Sequence, residues 1–185
     1  MTDNSSSILI SYSEGKTFNF GVKDIFSAPV DAIVNPANSG LLHGGGLAAI
    51  ISREAGHELD EECDRIINKI GRIKETFAVP TKAYNLPYKG IIHAVGPRMG
   101  VGDEQIKIEK AITNSLLVAD KKDWESVAFP AISTGIFGVP KKKCANAFKN
   151  AIPSFWETHK DTSVNLVWLC LIANDFLAFK NVLQP

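Results

Sequence analysis

Val30-Asp31-Ala32-Ile33-Val34-Asn35-Pro36-Ala37-Asn38-Ser39-Gly40-Leu41-Leu42-His43-Gly44-Gly45-Gly46 is the stretch on which the fold turns. It opens with a mostly apolar run over 30–34, the pattern of a strand buried on both faces, and ends on three glycines leading into an apolar-periodic segment, 46–55. A buried strand that turns through a polar, glycine-rich loop into a helix is the first half of a β-α-β unit, and such units build largely parallel sheets. Glycines at a helix entry leave backbone N–H groups bare, which suits a phosphate or the edge of a sugar. A merely flexible connector does not usually combine two asparagine amides and a histidine directly after a buried strand.

Working outward, the same order recurs at 126–140. A mostly apolar run, 126–131, leads into Ile132-Ser133-Thr134-Gly135-Ile136-Phe137-Gly138-Val139-Pro140. Its hydroxyls and N–H groups could cradle a diphosphate, and Phe137 reads either as a ring over a sugar or as core. Neither loop matches the dinucleotide GxGxxG or the phosphate-loop GxxxxGK[ST]. His43-Gly44-Gly45-Gly46 is also an oxyanion-hole string of lipases, but the chain holds no G-x-S-x-G elbow to go with it. Further strands are expected over 17–22, with Phe18, Phe20 and Val22 on one face, within 91–95 and over 163–173. Helices are expected over 46–55, 58–70, 104–120, 141–148 after Pro140, and 175–183. Ile108, Ala111, Ile112, Ser115 and Ala119 share one face of the third. The pattern predicts one α/β domain over 1–185, a mixed, largely parallel sheet with helices on both faces, and ligands held outside the carboxyl ends of the strands.

Composition narrows the function. With 20 Lys+Arg against 20 Asp+Glu over 185 residues, and a pI near 6.9, there is no basic footprint for strong nucleic-acid binding or for an anionic membrane surface. At 45% hydrophobic residues the chain is not disordered. The apolar run 166–173 is too short to span a bilayer, and the start MTDNSSS has no signal-peptide pattern, so a cytoplasmic protein is expected. Cys63, Cys144 and Cys170 are three, widely spaced and without CxxC or Cys/His pairing, which reads as buried thiols and no metal site. His93 in its strand reads as a hydrogen-bonded structural histidine, His57 and His159 as surface or helix-start residues, and 141–143 as a solvated lysine face. Trp124, Trp156 and Trp168 are scattered singly and suggest packing.

VDAIVNPAN (30–38), LLHGGGLAAIISREAG (41–56), IIHAVGP (91–97) and FPAISTGIFGVP (129–140), in this order and spacing, closely resemble the macrodomain family. The resemblance implies a three-layer α/β/α sandwich with a cleft for ADP-ribose, alone or attached to protein, and no cofactor. Carried onto this chain, it places Asp24 and Ile25 at the adenine. Asn38 and His43 fall at the distal ribose, Gly44, Gly45, Gly46 and Leu47 along the ribose and phosphate, and Ser133, Thr134, Gly135, Ile136 and Phe137 around the diphosphate. Lys23 and Phe26 depart from the family's usual Gly and Thr beside the acidic residue. Asp24 also reads as a helix N-cap, and both roles are compatible. Phe176 is the candidate for adenine stacking, or else a core residue of the last helix.

Ala48 is the departure that bears on activity. The deacetylase-type branch carries Val-Asp after its glycines, with the carboxylate proposed to activate water; here Leu47-Ala48 follows. The resemblance to branches with an aliphatic residue and Ala still implies release of ADP-ribose from protein, or hydrolysis of its 1″-phosphate or O-acetyl ester. Catalysis would then rest on Asn38, His43 and a water oriented by the substrate's phosphate. The other reading is a non-catalytic ADP-ribose reader. A chain without room for a second domain favours the enzyme.

Overall fold

The computed structural model describes residues 7–184. The opening residues 1–6, on which the signal-peptide reading rests, lie outside them. Seven strands form one sheet: β1 (Ser7–Ser11), β2 (Thr17–Val22), β3 (Ala32–Ala37), β4 (Ala78–Thr81), β5 (Gly90–Val95), β6 (Ser126–Phe129) and β7 (Leu166–Leu171). Five helices accompany them: α1 (Gly46–Ala55), α2 (His57–Ile70), α3 (Glu104–Asp120), α4 (Lys141–Thr158) and α5 (Ala173–Leu183). The sheet order is β1-β2-β7-β6-β3-β5-β4. The five inner strands are parallel, while β1 on β2 and β4 on β5 close the edges antiparallel.

Two apolar cores make the three layers. Alternation along the inner strands sends successive side chains to opposite faces: Val34 and Ile92 join α3, α4 and α5, whereas Ile33 and Ile91 join Ile51 and Leu59 of α1 and α2. Strands buried on both faces lack a polar side, which is why 30–34 reads as a continuous apolar run. Asn35 and His93 fall on the α1/α2 face and stand opposite one another in the β3–β5 register. The helices that follow β3 and β6 lie on opposite faces although these strands are neighbours, so their outgoing loops diverge and open a crevice between them.

The expected elements are present, with shifted ends. β6 stops at Phe129, before Pro130, whose missing N–H cannot extend the ladder. Helix α4 runs on from Phe148 to Thr158 through Pro153, because Ala151, Ile152, Phe155 and Trp156 continue its buried stripe and packing outweighs the helix-breaking residue. The edge strands β1 and β4 were not among the expected elements. Trp156 is buried and its Nε1–H donates to the Val164 carbonyl at 2.8 Å, and Trp124 is also buried, in line with a packing role. Among the described residues no helix is long and apolar enough to cross a membrane.

Phe148 of α4 is the aromatic hinge of the larger core, with ring centroids 5.5 Å from Phe129 and 6.3 Å from Phe18. Phe148→Ala should cost about 3–5 kcal/mol of unfolding free energy through the cavity it leaves, and Phe148→Leu clearly less, as read from denaturant midpoints at constant slope.

Candidate functional site

A cleft of about 840 Å³ lies in this crevice, within the size of a small-molecule site. One wall is the β3–α1 loop, with Asn38 and Gly44 to Leu47; the other is the β6–α4 loop, with Ser133 to Phe137. Asp24 and Ile25 line one end. Of the residues expected at the site, the structure brings all of these together; His43 and Phe176 it does not.

The loops are shaped by specific contacts. Asn38 folds its own loop: its Oδ1 accepts from the Gly40 and Leu42 N–H groups at 3.1 and 3.0 Å, and its Nδ2 donates to the Leu42 carbonyl at 2.6 Å. One amide hydrogen of Asn38 is left for a ligand. At Gly46 the backbone takes φ +59 as α1 begins, and a Cβ at Gly45 would stand 3.3 Å from Ile136 Cδ1 of the facing loop. Ile136 is 75% exposed and so reaches across the cleft toward the glycines. Ser133 has φ +66, and its Oγ is buried without a hydrogen-bond partner. Backbone strain and an unpaired hydroxyl thus coincide at one position of this loop. Gly96, just past β5, permits it: a Cβ there would lie 2.2 Å from Ser133 Oγ and 2.7 Å from Ile132 Cγ2.

Charge is sparse and local. Asp24 both lines the cleft and caps a short turn, accepting from the Phe26 N–H at 3.0 Å, so the two readings of this residue coexist. Arg98 lies with its guanidinium 4.6 Å from the Phe137 ring centre, and Lys23 stands 5.3 Å from that of Trp168. Among the described residues the acids lining the cleft are Asp24 and Asp175, both far from the glycine loop in the chain, while Ala48 lines the wall just after that loop. Cys170 also lines the cleft, but burial pushes its thiol up to about 12, so it remains protonated and is no nucleophile.

Two expectations are corrected, for His43 and the lysines, and the alternative left open at Phe176 is decided. His43 turns beneath its loop: Nδ1 is 2.7 Å from Asp60 Oδ1 of α2 and the side chain is only 6% exposed, because a carboxylate partner over the α1/α2 core holds it there. It is therefore not placed on the cleft wall. Phe176 faces the core, 6.5 Å from Phe20, and the preceding turn presents Ile172 and Asp175 to the cleft instead. Lysines 141–143 are not simply a solvated face. Lys141 lines the cleft and pairs with Asp175 at 2.5 Å, and Lys143 pairs with the buried Glu104 at 2.7 Å. The Lys143 ammonium, then the Gly100 N–H, hold the Glu104 carboxyl down at about 2.

Sequence reasoning missed Lys23, Gly96, Arg98, Lys141, Ile172 and Asp175. For Gly96 and Arg98 a signal existed, since they follow Ile91-Ile92-His93-Ala94-Val95 at the carboxyl end of a buried strand. It also missed what lies under the glycine loop. His93 is buried, with Nδ1 3.0 Å from Asn35 Nδ2 and Nε2 2.8 Å from Thr81 Oγ1, which bears out its structural reading. Burial, then the neighbouring His43, lower its pKa to about 3, so the ring is neutral. Cys63 Sγ lies 4.0 Å from His93 Nε2, so a Cys/His pairing absent from the linear sequence exists in space.

The chain belongs to the macro domain family, whose model matches residues 34–148. It is similar to an uncharacterized protein of Thermotoga maritima, 43% identical over 161 residues, which are 86% of this chain and 27% of that one. The chain thus spans about a quarter of that relative's length. A protein named O-acetyl-ADP-ribose deacetylase of Escherichia fergusonii is 41% identical over 138 residues, 74% of this chain and 78% of that one. Among solved structures, the Oceanobacillus iheyensis macrodomain with ADP superposes with a TM-score of 0.88 at 27% identity, covering 98% of this chain and 97% of that chain.

Gly96→Ala should force the β6–α4 loop away from β5, lowering stability by roughly 1–3 kcal/mol in denaturant unfolding. Adding Ser133→Ala, which removes the nearer of the two clashing atoms, should restore part of that loss; an additive double mutant would mean that the two residues do not meet.

Proposed function

We propose that the cleft binds ADP-ribose and that the protein slowly hydrolyses the distal-ribose linkage of mono-ADP-ribosylated protein, or of the 1″-phosphate or O-acetyl ester of ADP-ribose. The observation that carries the binding reading is the pair of facing helix-entry loops in one crevice, with the backbone N–H groups of Gly44 to Gly46 on one wall and the Ser133–Phe137 loop on the other. Such groups hold a diphosphate without net basic charge. In this pose the adenine lies at Asp24 and Ile25, where a carboxylate accepts from the exocyclic amine. The diphosphate runs between the loops, Ile136 and Phe137 cover it, and the distal ribose meets the remaining Asn38 N–H. The Oceanobacillus structure with ADP and the name of the Escherichia relative support the ligand class.

The chain's part in hydrolysis is positioning. One water is consumed, and free ADP-ribose leaves together with the carboxylic acid, guanidine, alcohol or phosphate it carried. Ala48 supplies no base and His43 is turned under the loop, so a water held by the substrate's own phosphate and the glycine N–H groups is the attacking group. Among the described residues Ala48 and not a carboxylate lines the cleft wall with Asn38, which favours a second reading, a protein that binds ADP-ribose without cleaving it. A panel of proteins mono-ADP-ribosylated on Glu/Asp, Arg or Ser, with the two small derivatives, decides between them: turnover of any member supports the enzyme, and binding without turnover establishes the reader.

Calorimetry should show ADP-ribose binding, abolished by Gly46→Glu, which places bulk and negative charge at the phosphates. Asp24→Ala should weaken binding by about 1–2 kcal/mol, the cost of a lost charge-assisted hydrogen bond on an exposed rim. No heat at millimolar ligand would sink the binding reading.

Asn38→Ala should lower kcat by more than it raises Kd for ADP-ribose, because the amide shapes the loop and fixes the distal ribose chiefly in the transition state. A raised Kd with kcat unchanged would make Asn38 a contact made equally in the ground and transition states.

A further inference from the structure

Under the glycine loop, three elements converge on one buried point. His43 comes from the loop itself, Cys63 from α2 and His93 from β5, and one ligand atom from each lies within 4.8 Å of the other two. Cys63 is 2% exposed and His93 fully buried. His43 Nδ1 is engaged by Asp60 at 2.7 Å, which leaves Nε2 as a lone pair; that atom is buried and has no hydrogen-bond partner. A buried imidazole nitrogen without a partner, clustered with a thiol and a second imidazole, is an unsatisfied polar group that a bound cation would satisfy.

We propose that His43 Nε2, Cys63 Sγ and His93 Nε2 form a binding site for a zinc-class divalent cation. Two imidazoles and a thiolate are the donor set that borderline-soft d-block ions select, and calcium or magnesium would not take it. The outer partners are those a metal-bound histidine needs. Asp60 receives the Nδ1–H of His43 and is itself held by Ser52 Oγ at 2.9 Å. Asn35 stands 3.0 Å from His93 Nδ1; with its amide turned so that the carbonyl faces the ring it keeps the proton on Nδ1, and His93 Nε2 then exchanges its 2.8 Å contact with Thr81 Oγ1 for the metal. Cys63 loses its proton to solvent as the metal–sulfur bond forms. The thiolate offsets one of the ion's two charges in the interior, and the half-exposed Asp60 carboxylate offsets the other through His43. Tetrahedral zinc needs its nitrogen and sulfur ligands roughly 3.4–3.6 Å apart, so from separations of up to 4.8 Å the side chains close by up to about 1.4 Å on binding. Three protein ligands leave a fourth position for water. The ion would tie the base of the Gly44–Gly46 loop to α2 and β5. This site lies behind the cleft wall, and the proposal does not rest on the ADP-ribose reading.

The experiment uses the full chain. Protein stripped with chelator, loaded with Zn²⁺ or Co²⁺ and passed through a desalting column should retain one equivalent by elemental analysis. The Co²⁺ form should show a thiolate-to-cobalt charge-transfer band. Cys63→Ser should lose that band and at least tenfold in Co²⁺ affinity, His43→Gln should weaken the affinity likewise, and Cys144→Ala, whose thiol lies on the other face of the sheet, should keep both. Far-UV circular dichroism confirms that each variant is folded. Wild type that retains no stoichiometric metal overturns the proposal whatever the variants do, as does a charge-transfer band that survives in Cys63→Ser.

Discussion

Parallel pairing of β3 between β5 and β6 is the constraint on which the rest depends. It sets three chain exits, at Asn38, Gly96 and Pro130, along one edge of the sheet. Because the helix after β3 packs on one face and the helix after β6 on the other, the two loops diverge and leave a gap into which Ile136 reaches. The cleft is thus a product of topology. It exists whatever residues occupy the loops, and the glycines and hydroxyls decide only what it can hold.

The same pairing forces two polar residues into the interior. Asn35 and His93 sit opposite one another on strands buried on both faces, so neither reaches water, and each must find partners within the α1/α2 layer. His93 finds Asn35 and Thr81. Asn35 Oδ1 and His43 Nε2 are left without partners, a concentration of buried unsatisfied groups directly beneath the ligand-facing loop. Such groups are tolerated where function, not stability, selects the residue. With the strained Ser133 above and the histidine–cysteine cluster below, the glycine loop is the part of the molecule where stability has been given up on both sides.

Residue patterns in the chain determined the fold class and most of the cleft. Buried strands that alternate with helices announce themselves by apolar runs of a few residues closed by turn signals, and a ligand loop between strand and helix is contiguous, so 38–47 and 133–137 were both legible. Helix ends at Gly56 and Gly71 were legible for the same local reason. What only the tertiary structure decided was direction and partnership across long separations. Whether His43 points into the cleft or under it depends on Asp60, and whether Phe176 meets a ligand or the core depends on Phe20 from the far end of the chain. Lys141 and Asp175 become one rim of the cleft only when α4 and α5 lie side by side, and His43, Cys63 and His93 become one site only when α2 folds over β5. Periodicity reports which face of an element is buried; it carries no information about which distant side chain waits there, and that contact is chosen by packing.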